Sequence, residues 1–99
     1  MFTRVVRYSG NDKAFDEGAK LYHQAKTMWG GQPGFHSMQR YRITDGPHAN
    51  QQMVVLRFNN KSEMDKAREA VGSQHTDRLK KLEEAGVKTE ETYMLEEIV

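Results

Sequence analysis

Two stretches constrain this chain more than any other feature: residues 2–8 (FTRVVRY) and residues 52–58 (QMVVLRF) each carry two adjacent valines inside a run of β-branched and aromatic residues. Side chains alternate between the faces of a strand, so adjacent valines put apolar groups on both sides at once. Strands of this kind belong at the centre of a sheet that is covered front and back. Whatever else the chain forms must supply at least one of those two covers.

The intervening segments read as helices and edge strands. Ser9-Gly10-Asn11-Asp12 punctuates the first strand, and Asn11 or Asp12 can cap a helix. Phe15, Gly18, Tyr22, Ala25 and Trp29 then recur at helical spacing, with Asp16, Glu17, Lys20, Gln24 and Thr27 opposite them, which predicts an amphipathic helix over residues 12–28. Residues 29–36 (WGGQPGFH) stop it, with a glycine as left-handed cap and Pro33 unable to continue the ladder. Residues 35–43 form the second strand, and the turn-rich residues 44–50 (TDGPHAN) join it to residues 52–58 as an antiparallel hairpin. Asn60-Lys61-Ser62-Glu63 has capping-box spacing before Met64, Ala67, Val71, His75, Leu79 and Leu82, a second helix with a kink expected at Gly72-Ser73. It closes at Ala85-Gly86, and residues 87–98 supply the last strand.

The order is β-α-β-β-α-β in one domain over residues 1–99. Right-handed crossovers place the first and third strands at the centre of a four-stranded antiparallel sheet with both helices on one face, an α+β ferredoxin-like fold. The helices cover only one side of the paired valines. The other apolar face calls for a partner, and a second copy of the chain, packed sheet to sheet, is the expected one. Composition agrees, since 36% hydrophobic residues make a thin core for so short a chain.

Charge and residue content exclude several classes. Fifteen Lys and Arg against 14 Asp and Glu leave a net charge of +1, without the basic footprint of nucleic-acid binding. The third strand also lacks the aromatic platform that RNA-recognition modules of this topology carry. The chain has no cysteine, so thiolate metal sites and disulfides are impossible, and no second ligand stands one turn from His75 to make a histidine metal site. No run approaches the roughly 20 apolar residues of a membrane helix. The expectation is a cytoplasmic protein, free of membrane and nucleic acid, with no cofactor and no metal.

Gln32-Pro33-Gly34-Phe35-His36-Ser37 before the second strand, the hairpin, the helix start at residues 59–63 and the polar Ser73-Gln74-His75-Thr76 segment together resemble the antibiotic biosynthesis monooxygenase-like group of dimeric α/β barrels, over almost the whole chain. The resemblance implies a homodimer whose sheets form a barrel, with a pocket for a small hydrophobic or aromatic ligand between sheet and helices in each subunit. It implies activities ranging from cofactor-independent oxygenases of aromatic phenols and polyketide-modifying enzymes to haem degradation. The haem-degrading branch fits less well: the first strand offers Arg7 where that branch has Asn, and the second helix holds no aromatic residue.

His75, on the apolar stripe of the second helix with Val71 and Leu79, is the candidate general base, since imidazole exchanges protons near neutral pH. The alternative is a histidine that only bridges the Gly72-Ser73 irregularity. Tyr22 and Trp29 share the sheet-facing stripe of the first helix and either stack on a planar ligand or form plain core. Arg7 and Arg57, in the central strands, either hold a developing anion or form salt bridges at the dimer interface, with the acidic fourth strand a candidate partner. His36 completes the candidate ligand-binding set. The enzymatic reading is a cofactor-independent monooxygenase or polyketide-modifying enzyme that deprotonates an aromatic or polyketide-like substrate. The other reading is a non-catalytic dimeric small-molecule-binding or stress-associated protein of the same fold.

Overall fold

The computed structural model describes residues 1–99. Six elements follow one another: β1 (Phe2–Ser9), α1 (Asp12–Gly30), β2 (Phe35–Arg42), β3 (Gln52–Phe58), α2 (Lys61–Glu84) and β4 (Lys88–Glu96). The strands make one antiparallel sheet in the order β2-β3-β1-β4, so the two strands with paired valines are central. This is the ferredoxin-like arrangement expected from the sequence.

Both helices start on an asparagine. The Ala14 amide donates to Asn11 Oδ1 at 2.8 Å, and the Glu63 amide donates to Asn60 Oδ1 at 2.9 Å. Asn60 Nδ2 also donates to Glu63 Oε1 at 2.9 Å, closing a capping box.

One local expectation is corrected. The residue that ends α1, Gly31, has a right-handed φ of −81°, and the left-handed glycine of the turn is Gly34, at φ 85°. A side chain is barred there, because a Cβ on Gly34 would collide with the Glu63 side chain. α2 runs through Gly72-Ser73 as one continuous helix of 24 residues. One interior glycine costs a helix only about 1 kcal/mol relative to alanine, less than the packing of Met64, Ala67 and Val71 on the core returns.

Register sorts the sheet into two faces. Met38, Leu56, Arg4 and Met94 stand in one cross-strand row, and Arg40, Val54, Val6 and Thr92 in the next. These rows share the face of the helices, where Phe2, Leu56, Phe58 and Met38 pack with Trp29, Met64, Ala67 and Val71. A second cluster of Val6, Tyr8, Ala14, Phe15 and Val87 closes the other end. Gly18 lets α1 approach closely, since a Cβ there would meet Leu82 at 3.2 Å. The opposite rows, Gln39-Val55-Val5-Tyr93 and Ser37-Arg57-Thr3-Leu95, face away from the helices, and no element of the chain packs on them.

Candidate functional site

A cavity of ≈ 70 Å³ lies between the helices and the inner face of the sheet. Its walls are largely apolar because they are the inward stripes of the two helices and the inward rows of β1, β2 and β3. Trp29 from α1 and His75 from α2 meet there edge to face, ring centroids 5.4 Å apart. The indole is 2% exposed and also packs edge-on against Phe58 at 6.2 Å. It is therefore core and cavity wall at once, which dissolves the choice posed by its sequence position.

His75 sits one turn beyond Val71, where the buried stripe of α2 gives way to the cavity edge. Its pKa is pushed down to about 4, chiefly because burial penalises the imidazolium, and further because Arg4, Arg68 and Arg78 surround it with positive charge. At neutral pH the ring is uncharged and free to accept a proton. Tyr22 lines the same cavity; its hydroxyl donates to the Met38 carbonyl at 3.3 Å and the Arg40 guanidinium lies 5.0 Å over its ring. Burial raises its phenol pKa, although the neighbouring Arg40 pulls it back. The structure thus brings together three of the residues singled out in the sequence: His75, Trp29 and Tyr22.

The other three stand apart. Arg7 and Arg57 occur on the outer rows of the sheet, across the sheet from the cavity. Arg7 is ion-paired with Glu91 of β4 and bonded to Gln51, and Arg57 donates to Gln39 at 2.7 Å. The reason is register. Both are odd-numbered positions in step with Val5 and Val55, which face away from the helices. His36 is exposed, with Nδ1 3.3 Å from Ser37 Oγ, and lies outside the cavity.

Their place is taken by residues that helical spacing and unpaired strand charge do not single out. Arg4, Arg40 and Arg78 all line the cavity, together with Tyr8 and Gln52. Strand alternation puts Arg4 in step with Phe2, Val6 and Tyr8, but only the packing of the helices makes that row the cavity side; Arg78 lies three residues beyond His75 on the same helix. Burial lowers the pKa of the Arg4 guanidinium, with Tyr8 acting against the shift and Arg68 adding to it. The Tyr8 phenol is raised by burial and opposed by Arg4. Arg78 donates to Met28 Sδ at 2.9 Å, a weak acceptor. None of the three lining arginines forms a salt bridge, and no Asp or Glu lines the cavity.

No group of three or more His, Cys, Asp or Glu side chains is placed to hold a metal ion. No helix is long and apolar enough to cross a membrane. No protein-family model and no curated protein sequence matches the chain.

Solved structures do match. SnoaB from Streptomyces nogalater, a cofactor-independent oxygenase, superposes with a TM-score of 0.75 over 99% of this chain and 93% of its own, at 17% identity. An antibiotic biosynthesis monooxygenase matches over 100% of both chains with a TM-score of 0.70 and 13% identity. HapK from Hahella chejuensis matches over 99% of this chain and 93% of its own, with a TM-score of 0.69 and 12% identity. Such low identities carry backbone architecture and nothing about individual side chains. The resemblance read from residues 32–37, the hairpin and the second helix therefore holds at the level of the backbone: this chain has the fold of the antibiotic biosynthesis monooxygenase-type proteins.

Proposed function

We propose that the protein is a cofactor-independent oxygenase of an aromatic or polyketide-like substrate, with His75 as the base that removes a proton from the substrate. The observation that carries this reading is the neutral imidazole of His75 at the edge of Trp29, in an apolar cavity flanked by Arg4 and Arg78. The named activity of a neighbour such as SnoaB supports the same general kind of chemistry.

A base with a pKa near 4 is weak in water, but the cavity changes what it must do. Moving a proton from an activated C–H or phenol to His75 creates an imidazolium and a carbanion or phenolate together. The arginines penalise the first and stabilise the second, so their field largely cancels in the transfer while the anion remains solvated by guanidinium. Trp29 and Tyr22 offer ring faces and edges to a planar substrate. The carbanion then transfers electrons to dioxygen and forms a C–O bond, and the peroxide anion takes the proton back from the His75 imidazolium to become a hydroperoxide. Loss of water leaves a ketone, with one oxygen atom in the product and the other in water. A tricyclic substrate exceeds a 70 Å³ space, as ligand pockets run to roughly 300–1,000 Å³; binding requires flexible lining side chains such as Arg40 and Leu79 to swing aside.

The assembly we propose is a homodimer through the outer face of the sheet. Tyr41, Tyr93 and Leu95 on that face are each close to half exposed, beside the buried Val5 and Val55. An apolar surface of this kind is the usual mark of an interface. Oxygen uptake during turnover of an anthrone-type phenol tests the catalytic reading. Uptake that is absent across hydroxylated aromatic substrates, with ligand binding retained, leaves a non-catalytic binding protein of the same fold.

A further inference from the structure

The cavity holds more positive charge than the proposed chemistry uses. Deprotonation of a substrate develops one negative charge, yet three guanidiniums line the space and no carboxylate of the chain answers any of them. Arg4 is the most conspicuous. It lies on the inner face of a central strand between Phe2 and Val6, in the row of Met38, Leu56 and Met94, with no side-chain hydrogen-bond partner. Arg4 is half-buried, and with no bonded partner its guanidinium nitrogens stay in contact with solvent; a partly desolvated charge of this kind is normally offset by an acidic side chain. Here the outer face shows that offset, in Arg7 with Glu91, whereas the inner face lacks it.

We infer that the resting ligand supplies the missing counterion: the cavity binds a planar aromatic or polyketide-like molecule as its carboxylate, anchored on Arg4, with its rings along Trp29 and Tyr22. A guanidinium fork matches a carboxylate by two parallel hydrogen bonds, and the apolar walls take the ring body. The inference rests on the reading of this cavity as the ligand site and adds the substrate's charge and its anchor. One consequence reaches His75. The charged groups facing it are Arg4 from β1 and Arg68 and Arg78 from α2, with Asp65 and Glu69 lining the groove on its solvent side; Trp29 from α1 contributes no charge. A carboxylate on Arg4 offsets part of that positive field and makes the imidazole a stronger base only when substrate is present.

Titration of the 99-residue protein with 1-naphthoate, its neutral counterpart 1-naphthalenemethanol, and acetate tests this directly. Trp29 is the only tryptophan, so its single indole N–H resonance reports binding. Naphthoate is expected to bind at least tenfold more tightly than the alcohol and far more tightly than acetate, and Arg4→Met to erase the preference for the acid while amide shifts elsewhere stay in place. The His75 titration is expected to move upward on naphthoate binding. An alcohol or acetate that binds as well as naphthoate in the unmodified protein overturns the inference without any variant, as does a preference that survives Arg4→Met. Acid-selective binding without oxygen uptake supports the inference and removes the oxygenase reading. Oxygen uptake with neutral phenols and no preference for acids does the reverse.

Discussion

The two faces of the sheet carry arginines in adjacent strands and treat them in opposite ways. On the outer face Arg7 pairs with Glu91 and Gln51, and Arg57 donates to Gln39, so each guanidinium finds a hydrogen-bond partner within the chain and Arg7 a counterion as well. On the inner face Arg4, Arg40 and Arg78 line a cavity with His75 and none has an acidic partner: the exposed Arg40 lies over the Tyr22 ring and Arg78 donates to Met28 Sδ. Satisfied charge stiffens a surface; unsatisfied charge in a confined space invites a ligand of opposite sign. For an arginine in a central strand, parity therefore matters more than position along the strand.

The contrast breaks most visibly at His75. His75→Ala is expected to lower kcat for oxygen uptake by roughly 10²–10⁴-fold, the usual contribution of a general base. Arg57→Met, on the other face, is expected to keep kcat within about twofold, as a side chain remote from the reacting atoms does. Equal losses in the two variants would erase the functional distinction between the faces.

Stability sharpens the same division. Trp29→Ala removes a fully buried indole packed on Phe58 and His75, and is expected to cost about 3–5 kcal/mol in urea unfolding. Tyr93→Ala, 48% exposed on the outer face, is expected to change folding by no more than about 0.5 kcal/mol if the chain is measured as a monomer. A larger cost for Tyr93 at dimer-forming concentrations assigns that residue to the interface. Leu95→Asp, 47% exposed in the single chain, addresses assembly more directly. It is expected to weaken self-association at least tenfold by sedimentation while leaving the far-UV spectrum intact, since an unpaired charge is costly to bury at an apolar contact. Unchanged mass would remove the outer face as the dimer surface.

A further expectation concerns pH dependence. Folding depresses the His75 pKa from 6.5 to about 4, so the unfolded chain takes up the proton first as pH falls. The stabilising preference for neutral imidazole is thus complete above pH 6.5 and lost progressively towards pH 4. The unfolding midpoint should decline over that window, and His75→Gln should flatten the decline. A His75 C–H resonance titrating near 6.5 in the folded protein would show that its surroundings are wet and uncharged.

Much of this is legible in the chain itself. Paired valines put β1 and β3 at the centre, the spacing of Phe15, Tyr22 and Trp29 lays one helix on the sheet, and Asn60 with Glu63 marks where the other begins. Of the site, the helical members His75, Trp29 and Tyr22 can be read, because a stripe repeating at helical spacing must face what the helix packs against. The strand members cannot be sorted the same way. Arg7 and Arg57 draw notice as charges in central strands, yet it is Arg4, in step with Phe2 and Val6, that reaches the cavity.

The order of elements, the central strands and the inward stripe of each helix belong to the amino-acid sequence alone, since all three follow from local periodicity. Tertiary structure was needed to decide which sheet face the helices cover, and with it which arginines line the cavity and which meet Glu91. The physical reason is that alternation along a strand leaves its two faces equivalent until something packs on one of them. In β1 the paired valines made both faces apolar, so the choice rested with the helices, and the whole inner row, Arg4 included, followed from where Trp29 and Met64 came to lie.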